Sequence, residues 1–143
     1  MYQISEKIIL TLWIGSMWAI GYIVAPVLFQ MLDKAVAGNI AGQLFSIVSY
    51  LGIFSSIALF FKCVMQFGFS KGYWQIWVLL SMFVLILIGQ FILQPMMAEL
   101  KASGITVTNK SEFGRLHGIA SILFLVNSLA GLSLVITGLS KKS

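Results

Sequence analysis

The charged residues of this chain are placed so that four long stretches carry none. Ile8–Leu32 runs for 25 residues without Asp, Glu, Lys or Arg, Ala35–Phe61 for 27, Gly72–Ala98 for another 27 and Leu116–Ser140 for another 25. A helix rises ~1.5 Å per residue, so the shorter stretches already reach roughly 37 Å. The hydrocarbon core of a bilayer is ~30 Å thick and is crossed by about 20 apolar residues. The spacing of the charges therefore predicts four transmembrane helices.

Composition agrees. Hydrophobic residues make up 59% of the chain and charged residues 9%, against roughly 45–50% and 25% in soluble domains. A soluble fold of 143 residues exposes too much surface to hide that excess. In lipid, only helices and closed barrels satisfy their own backbone. The apolar runs are continuous and do not alternate, which excludes barrel strands. The first run is too long for the core of a signal peptide. Pro26 and the bulky Val27, Leu28 and Phe29 stand where small cleavage-site residues would be, so Ile8–Leu32 reads as a retained anchor. Cys63 is the single cysteine, which leaves no intramolecular disulfide and no metal-finger spacing. The net charge of +5 collects at the helix flanks, as Lys and Arg do in membrane proteins, and does not point to nucleic acid.

The expected fold is all-α: one integral membrane domain over 1–143, a four-helix bundle with helices over roughly 6–32, 36–67, 73–98 and 110–139. The turns fall at Asp33-Lys34, at Gly68–Gly72 and along Glu99–Asn109. Asn109 with Glu112 three residues later predicts a capping box at the start of the fourth helix. Tyr73, Trp74, Trp77 and Trp13 read as interfacial anchors. Lys7, Lys62, Lys71, Lys141 and Lys142 fall on the side of the termini, and Lys34, Lys101, Lys110 and Arg115 on the other. This bias favours cytoplasmic termini in an inner or plasma membrane.

The second half echoes the first. Shifting the chain by 72 residues lays Gly42-Gln43-Leu44-Phe45-Ser46 on Gly114-Arg115-Leu116-His117-Gly118, and Ser56 on Ser128. The first and third helices each carry a proline near their end, Pro26 and Pro95. Two repeated hairpins and chance similarity between greasy helices both fit. Gly42, Ser46, Ser49 and Ser56 share a helical face, as do Gly114, Gly118, Ser121 and Ser128. Small faces let lipid-embedded helices approach closely, so both are expected to point inward. The bilayer is the expected partner, with a second copy or another membrane protein as a further one.

The polar residues cluster at the end carrying the first and third turns. They are Gln43, Gln90, Gln94 and His117, with Arg115 beside them. An ionisable side chain at membrane depth marks a pathway, a ligand site or a structural pair. For His117 the structural reading, a neutral imidazole bonded to Gln94 or Gln43, is favoured over a ligand role. Interhelical polar bonds contribute about 0.6–2 kcal/mol each, enough to account for Gln90 and Gln94 as bridges. Arg115 reads as a snorkelling side chain that can pair with Glu112. Pro26 and Pro95 each free a carbonyl one turn earlier, and helix termination or kinking is the favoured reading. Met31, Met96 and Met97 lie on the side of His117, a set that could suit Cu(I), but methionine is common in apolar helices.

No Gly-rich phosphate loop, paired carboxylates or Cys/His cluster is present, so no catalytic residue, metal site or cofactor is assigned. No Asp or Glu falls inside a charge-free stretch, whereas proton pumps need such groups.

Three segments carry a resemblance: Gly21-Tyr-Ile-Val-Ala25-Pro26-Val-Leu-Phe29, Ala41-Gly42-Gln-Leu-Phe45, and Phe113-Gly114-Arg-Leu-His117-Gly118. Together they resemble the transmembrane-protein-205-like family of small four-helix membrane proteins. The resemblance implies a membrane bundle without an assigned reaction, and a role in transport or tolerance of metals or drugs. It draws attention to Pro26, Phe29, Phe45 and His117. A more distant likeness, to four-helix proteins of copper resistance and protoporphyrinogen oxidation, implies a haem- or copper-linked redox alternative. That group uses further histidines, and this chain has one. An assembly subunit of a membrane complex is the third expectation.

Overall fold

The computed structural model describes residues 2–68 and 73–139, with side chains from Ile4 onward. Lys71, Lys141, Lys142 and most of the Gly68–Gly72 turn lie outside the described residues. Four helical rods make up the fold. The first, α1, runs as Tyr2–Ala19, a wider π turn Ile20–Val24, and Ala25–Met31. The second, α2, is Lys34–Phe67. The third, α3, runs as Trp74–Ile88, a π turn Gly89–Leu93, and Gln94–Ala102, one turn past the expected end at Ala98. The fourth, α4, is Lys110–Thr137. All four are long and apolar enough to cross a membrane. Each packs on two neighbours: α1 and α3 both touch α2 and α4. The chain is an all-α four-helix bundle of the multi-pass membrane type.

The two prolines neither end nor break their helices. Proline lacks an N–H, and its ring crowds the carbonyl four residues back. Here the preceding turn widens. The Ala25 N–H reaches Ile20 O and the Gln94 N–H reaches Gly89 O, each five residues back. The π turns make room for Pro26 and Pro95, and the helices continue. Termination comes later, at extended Leu32 after α1. Gly68 and Gly138 stop α2 and α4 at φ 68° and 70°, a left-handed region that suits glycine.

The hairpins match in their buried residues as well. In α1 and α3 the buried pairs Leu10/Leu79, Trp13/Met82 and Met17/Ile86 are 69 apart, as are the prolines. In α2 and α4, Ser55/Asn127 and Ser56/Ser128 are buried polar pairs 72 apart.

The core is centred on Trp13, which is fully buried among Leu10, Ile14, Met17, Leu59, Leu79, Met82 and Ile86. The expected anchoring role fails for this residue, because its indole is fully buried and packs close against Gly52 of α2. A Cβ at Gly52 would sit 2.7 Å from Trp13 Nε1 and 2.8 Å from Ile86 Cδ1. Trp74 and Trp77 are exposed, as an interfacial belt requires.

The inward face of α4 is not the small-residue face. Leu116, Asn127, Gly131 and Leu134 are buried, with Ala120 and Leu123 half-buried between them. Gly114 and Ser121 are exposed, and a Cβ at Gly114 or Gly118 would meet nothing within 4 Å. Of that stripe only Ser128 is buried. Its hydroxyl donates to Leu125 O at 2.8 Å, so the Tyr22 hydroxyl 2.6 Å away must donate to it. Trp18 Nε1 donates to Ser128 O at 3.2 Å. On α2 the expectation fares better: Gly42, Ser46 and Ser49 are half-buried and Ser56 is buried.

The capping box at Asn109 is also replaced by another arrangement. The Asn109 side chain makes no bond to its own helix. It ties the loop together, accepting from the Thr106 N–H at 2.7 Å and donating to Gly104 O at 2.9 Å.

At the end bearing the chain termini, Glu6 is buried at 5% exposure. One carboxylate oxygen accepts the Leu139 N–H at 2.7 Å and the other lies 3.5 Å from Lys62 Nζ. This carboxylate, just outside the first charge-free stretch, joins the start of α1, the end of α2 and the segment after α4.

Candidate functional site: a polar groove between the second and third helices

On α3, residues 90, 94, 98 and 101 are spaced by four, four and three, which puts them on one helical face. On α2, residues 39, 42, 43 and 46 share the facing side. Where these faces meet, near the end carrying the first and third turns, a groove of about 520 Å³ opens. Its walls are Asn39, Gly42, Gln43 and Ser46 from α2, and Gln94 and Lys101 from α3, with Ile47 and Ala98 completing the lining. Small Gly42 and Ala98 leave the space, and the amides make it polar.

The groups around the groove are loosely held. Gln94 Nε2 donates to Gly42 O at 3.5 Å. One turn deeper, Gln90 Nε2 donates to Ser46 Oγ at 3.4 Å, while the buried Gln90 Oε1 has no partner. Lys101 Nζ lies 3.4 Å from Gly38 O and 5.8 Å from the Phe113 ring. Such long contacts are weak hydrogen bonds, and they leave amide and ammonium donors able to turn toward a guest. Among the described residues, no acidic, histidine or cysteine side chain lines the groove.

Three of the expected site residues meet here: Gln43, Gln94 and, behind Ser46, Gln90. His117 does not join them. It is exposed, stacked on Phe113 at 6.3 Å between ring centroids and 11° between planes. Gln94 bonds to Gly42 O, not to the imidazole. Arg115 is exposed as well and makes no pair with Glu112. The physical reason is the face of α4: Leu116, Ala120 and Leu123 turn inward, which carries His117 to the rim. Pro26, Phe29 and Pro95 are exposed. Phe45 is half-buried, edge-on to Phe124 at 5.2 Å. Met97 is buried while Met31 and Met96 are exposed. Among the described residues no three His, Cys, Asp or Glu side chains gather.

Lys101 also lines the groove, seven residues after Gln94 on the same face of α3, a placement not singled out from the sequence. The sequence reasoning missed Asn127, buried with an unpartnered Oδ1. It also missed the burial of Glu6.

The family described as "Domain of unknown function (DUF4149)" matches residues 8–106. The chain belongs to this family. The DUF4149 match takes in α1 from Ile8 onward, α2 and α3, and with them every residue that lines the groove. His117 and Arg115 lie beyond it. No curated protein and no solved structure matches the chain.

Proposed function

We propose that this protein is a non-catalytic, multi-pass membrane protein that takes a small amphipathic compound into the α2–α3 groove. Its role is transport or tolerance of such compounds, a narrower form of the transport or tolerance of metals or drugs that the transmembrane-protein-205-like resemblance implies. The observation that carries this reading is the groove itself. It holds amide and ammonium donors next to lipid-facing helices, and its lining has no paired carboxylates and no nucleophile beside a base. Ligand sites commonly have this makeup, a concave surface with a few convergent polar groups. The Lys and Arg balance supports cytoplasmic termini in an inner or plasma membrane, with the groove on the opposite side.

A deletion strain challenged with a panel of metal salts and amphipathic drugs tests the reading. Altered sensitivity to an amphipathic compound, restored by the wild-type chain, is the expected result. A strain indistinguishable from its parent across the panel would contradict it.

A further inference from the structure

We infer that the compound held in the groove is an amphiphile with an anionic phosphate-ester head, of the kind an anionic glycerophospholipid carries. This rests on the groove being the binding site. Three observations lead to it.

The first is charge. Lys101 is the one charged residue among the groove's lining residues, and no carboxylate faces it there. Among the described residues its ammonium has only a long contact to Gly38 O and a ring at 5.8 Å. A carbonyl and a quadrupole leave most of an ammonium's three donors unused, so an anion is the complementary guest. The second is the donor set. The amides of Asn39, Gln43 and Gln94 surround the same space and offer N–H groups to the remaining oxygens of a phosphate ester. The third is continuity with lipid. Ile47, at the deep end of the groove, is 62% exposed. One turn deeper, Tyr50 of α2 and Phe91 of α3 meet edge-on at 6.4 Å, and both are exposed to the bilayer side. A head seated at Lys101 therefore has an apolar seam along α2 and α3 for its chains. An ion without a tail would leave that seam unused.

The test is a titration of the purified chain in a neutral maltoside detergent, read by native mass spectrometry. The probes are dioctanoyl phosphatidylglycerol, dioctanoyl phosphatidylcholine and sodium phosphate. One phosphatidylglycerol should bind per chain, more tightly than phosphatidylcholine, with no retention of inorganic phosphate. Lys101→Gln should weaken phosphatidylglycerol about tenfold, the loss of one charge-assisted hydrogen bond. Lys101→Arg should retain binding, which separates loss of the charge from misfolding. Lys110→Gln, at the same end but off the groove, should bind like the wild type. Equal binding of the two lipids, retention of phosphate alone, or an unaffected Lys101→Gln would each overturn the inference. If Lys101→Gln keeps the resistance phenotype while a Gln43→Ala/Gln94→Ala variant loses it, the groove stands as the site and the anionic head does not.

Discussion

Glu6→Ala is expected to lower the unfolding free energy of the bundle by on the order of 3 kcal/mol. The carboxylate is 6% exposed in its side chain and Lys62 18%, so water screens the pair poorly. Removing it takes the carboxylate away from two groups at once: the Lys62 ammonium, 3.5 Å from Oε2, and the Leu139 N–H, 2.7 Å from Oε1. Breaking one side of a buried pair costs about 3–5 kcal/mol, and the partial exposure of Lys62 places this case at the low end. Glu6→Gln keeps an oxygen for the Leu139 N–H and should recover about half of the loss. Equilibrium unfolding in mixed detergent micelles reads both. A Glu6→Ala protein as stable as the wild type would show that the junction of the three segments contributes nothing.

Trp13→Ala should cost a similar amount, on the order of 3 kcal/mol, because it opens a cavity at the centre of the core. In lipid the unfolded reference is still membrane-inserted. The loss is then mainly of packing contacts, with little transfer term. The sharper test is its coupling to Gly52. Alone, Gly52→Ala drives a methyl to 2.7 Å from Trp13 Nε1, an overpacking that costs about 1–3 kcal/mol. In the Trp13→Ala background the indole contact is gone and the flexible Ile86 Cδ1, 2.8 Å from the new methyl, can turn into the vacated space, so the substitution should be neutral or stabilising. A double-mutant cycle measures that reversal of sign. Additive effects of the two substitutions would mean that the indole and the glycine do not touch.

The reason for the reversal also explains what could be read without a structure. Charge spacing determines helix number because an unpaired charge in hydrocarbon is costly wherever it lies. It therefore located all four rods, and their ends differ by a turn or less from the expectation. Which side of each rod faces inward is a different question. α4 is apolar on nearly all sides, so period 3.6 carries little information there. Small residues were a reasonable guide, but packing turned on Leu116, Leu123 and Leu134 instead, and His117 moved to the rim with the glycine face. Trp13 was misread for a related reason. Tryptophan favours interfaces when its N–H needs water, yet here the ring is buried close against Gly52 with its N–H unpartnered among the described residues. The prolines illustrate the converse case. Their local chemistry was read correctly, but a widened π turn was available in place of a break. The candidate groove was half legible: Gln43 and Gln94 line it and Gln90 bonds to Ser46 of its wall, because their spacing on two antiparallel helices brings them to facing sides. Lys101 was overlooked since, in sequence, it looks like an ordinary flanking anchor.

The central claim is that the site is the α2–α3 groove and not the exposed histidine. Complementation of the deletion strain tests it most directly, with each variant's membrane level matched by immunoblot. The Gln43→Ala/Gln94→Ala chain should be present in the membrane and fail to restore resistance, while His117→Ala restores it fully. Restoration by the groove variant together with failure of His117→Ala would contradict the account.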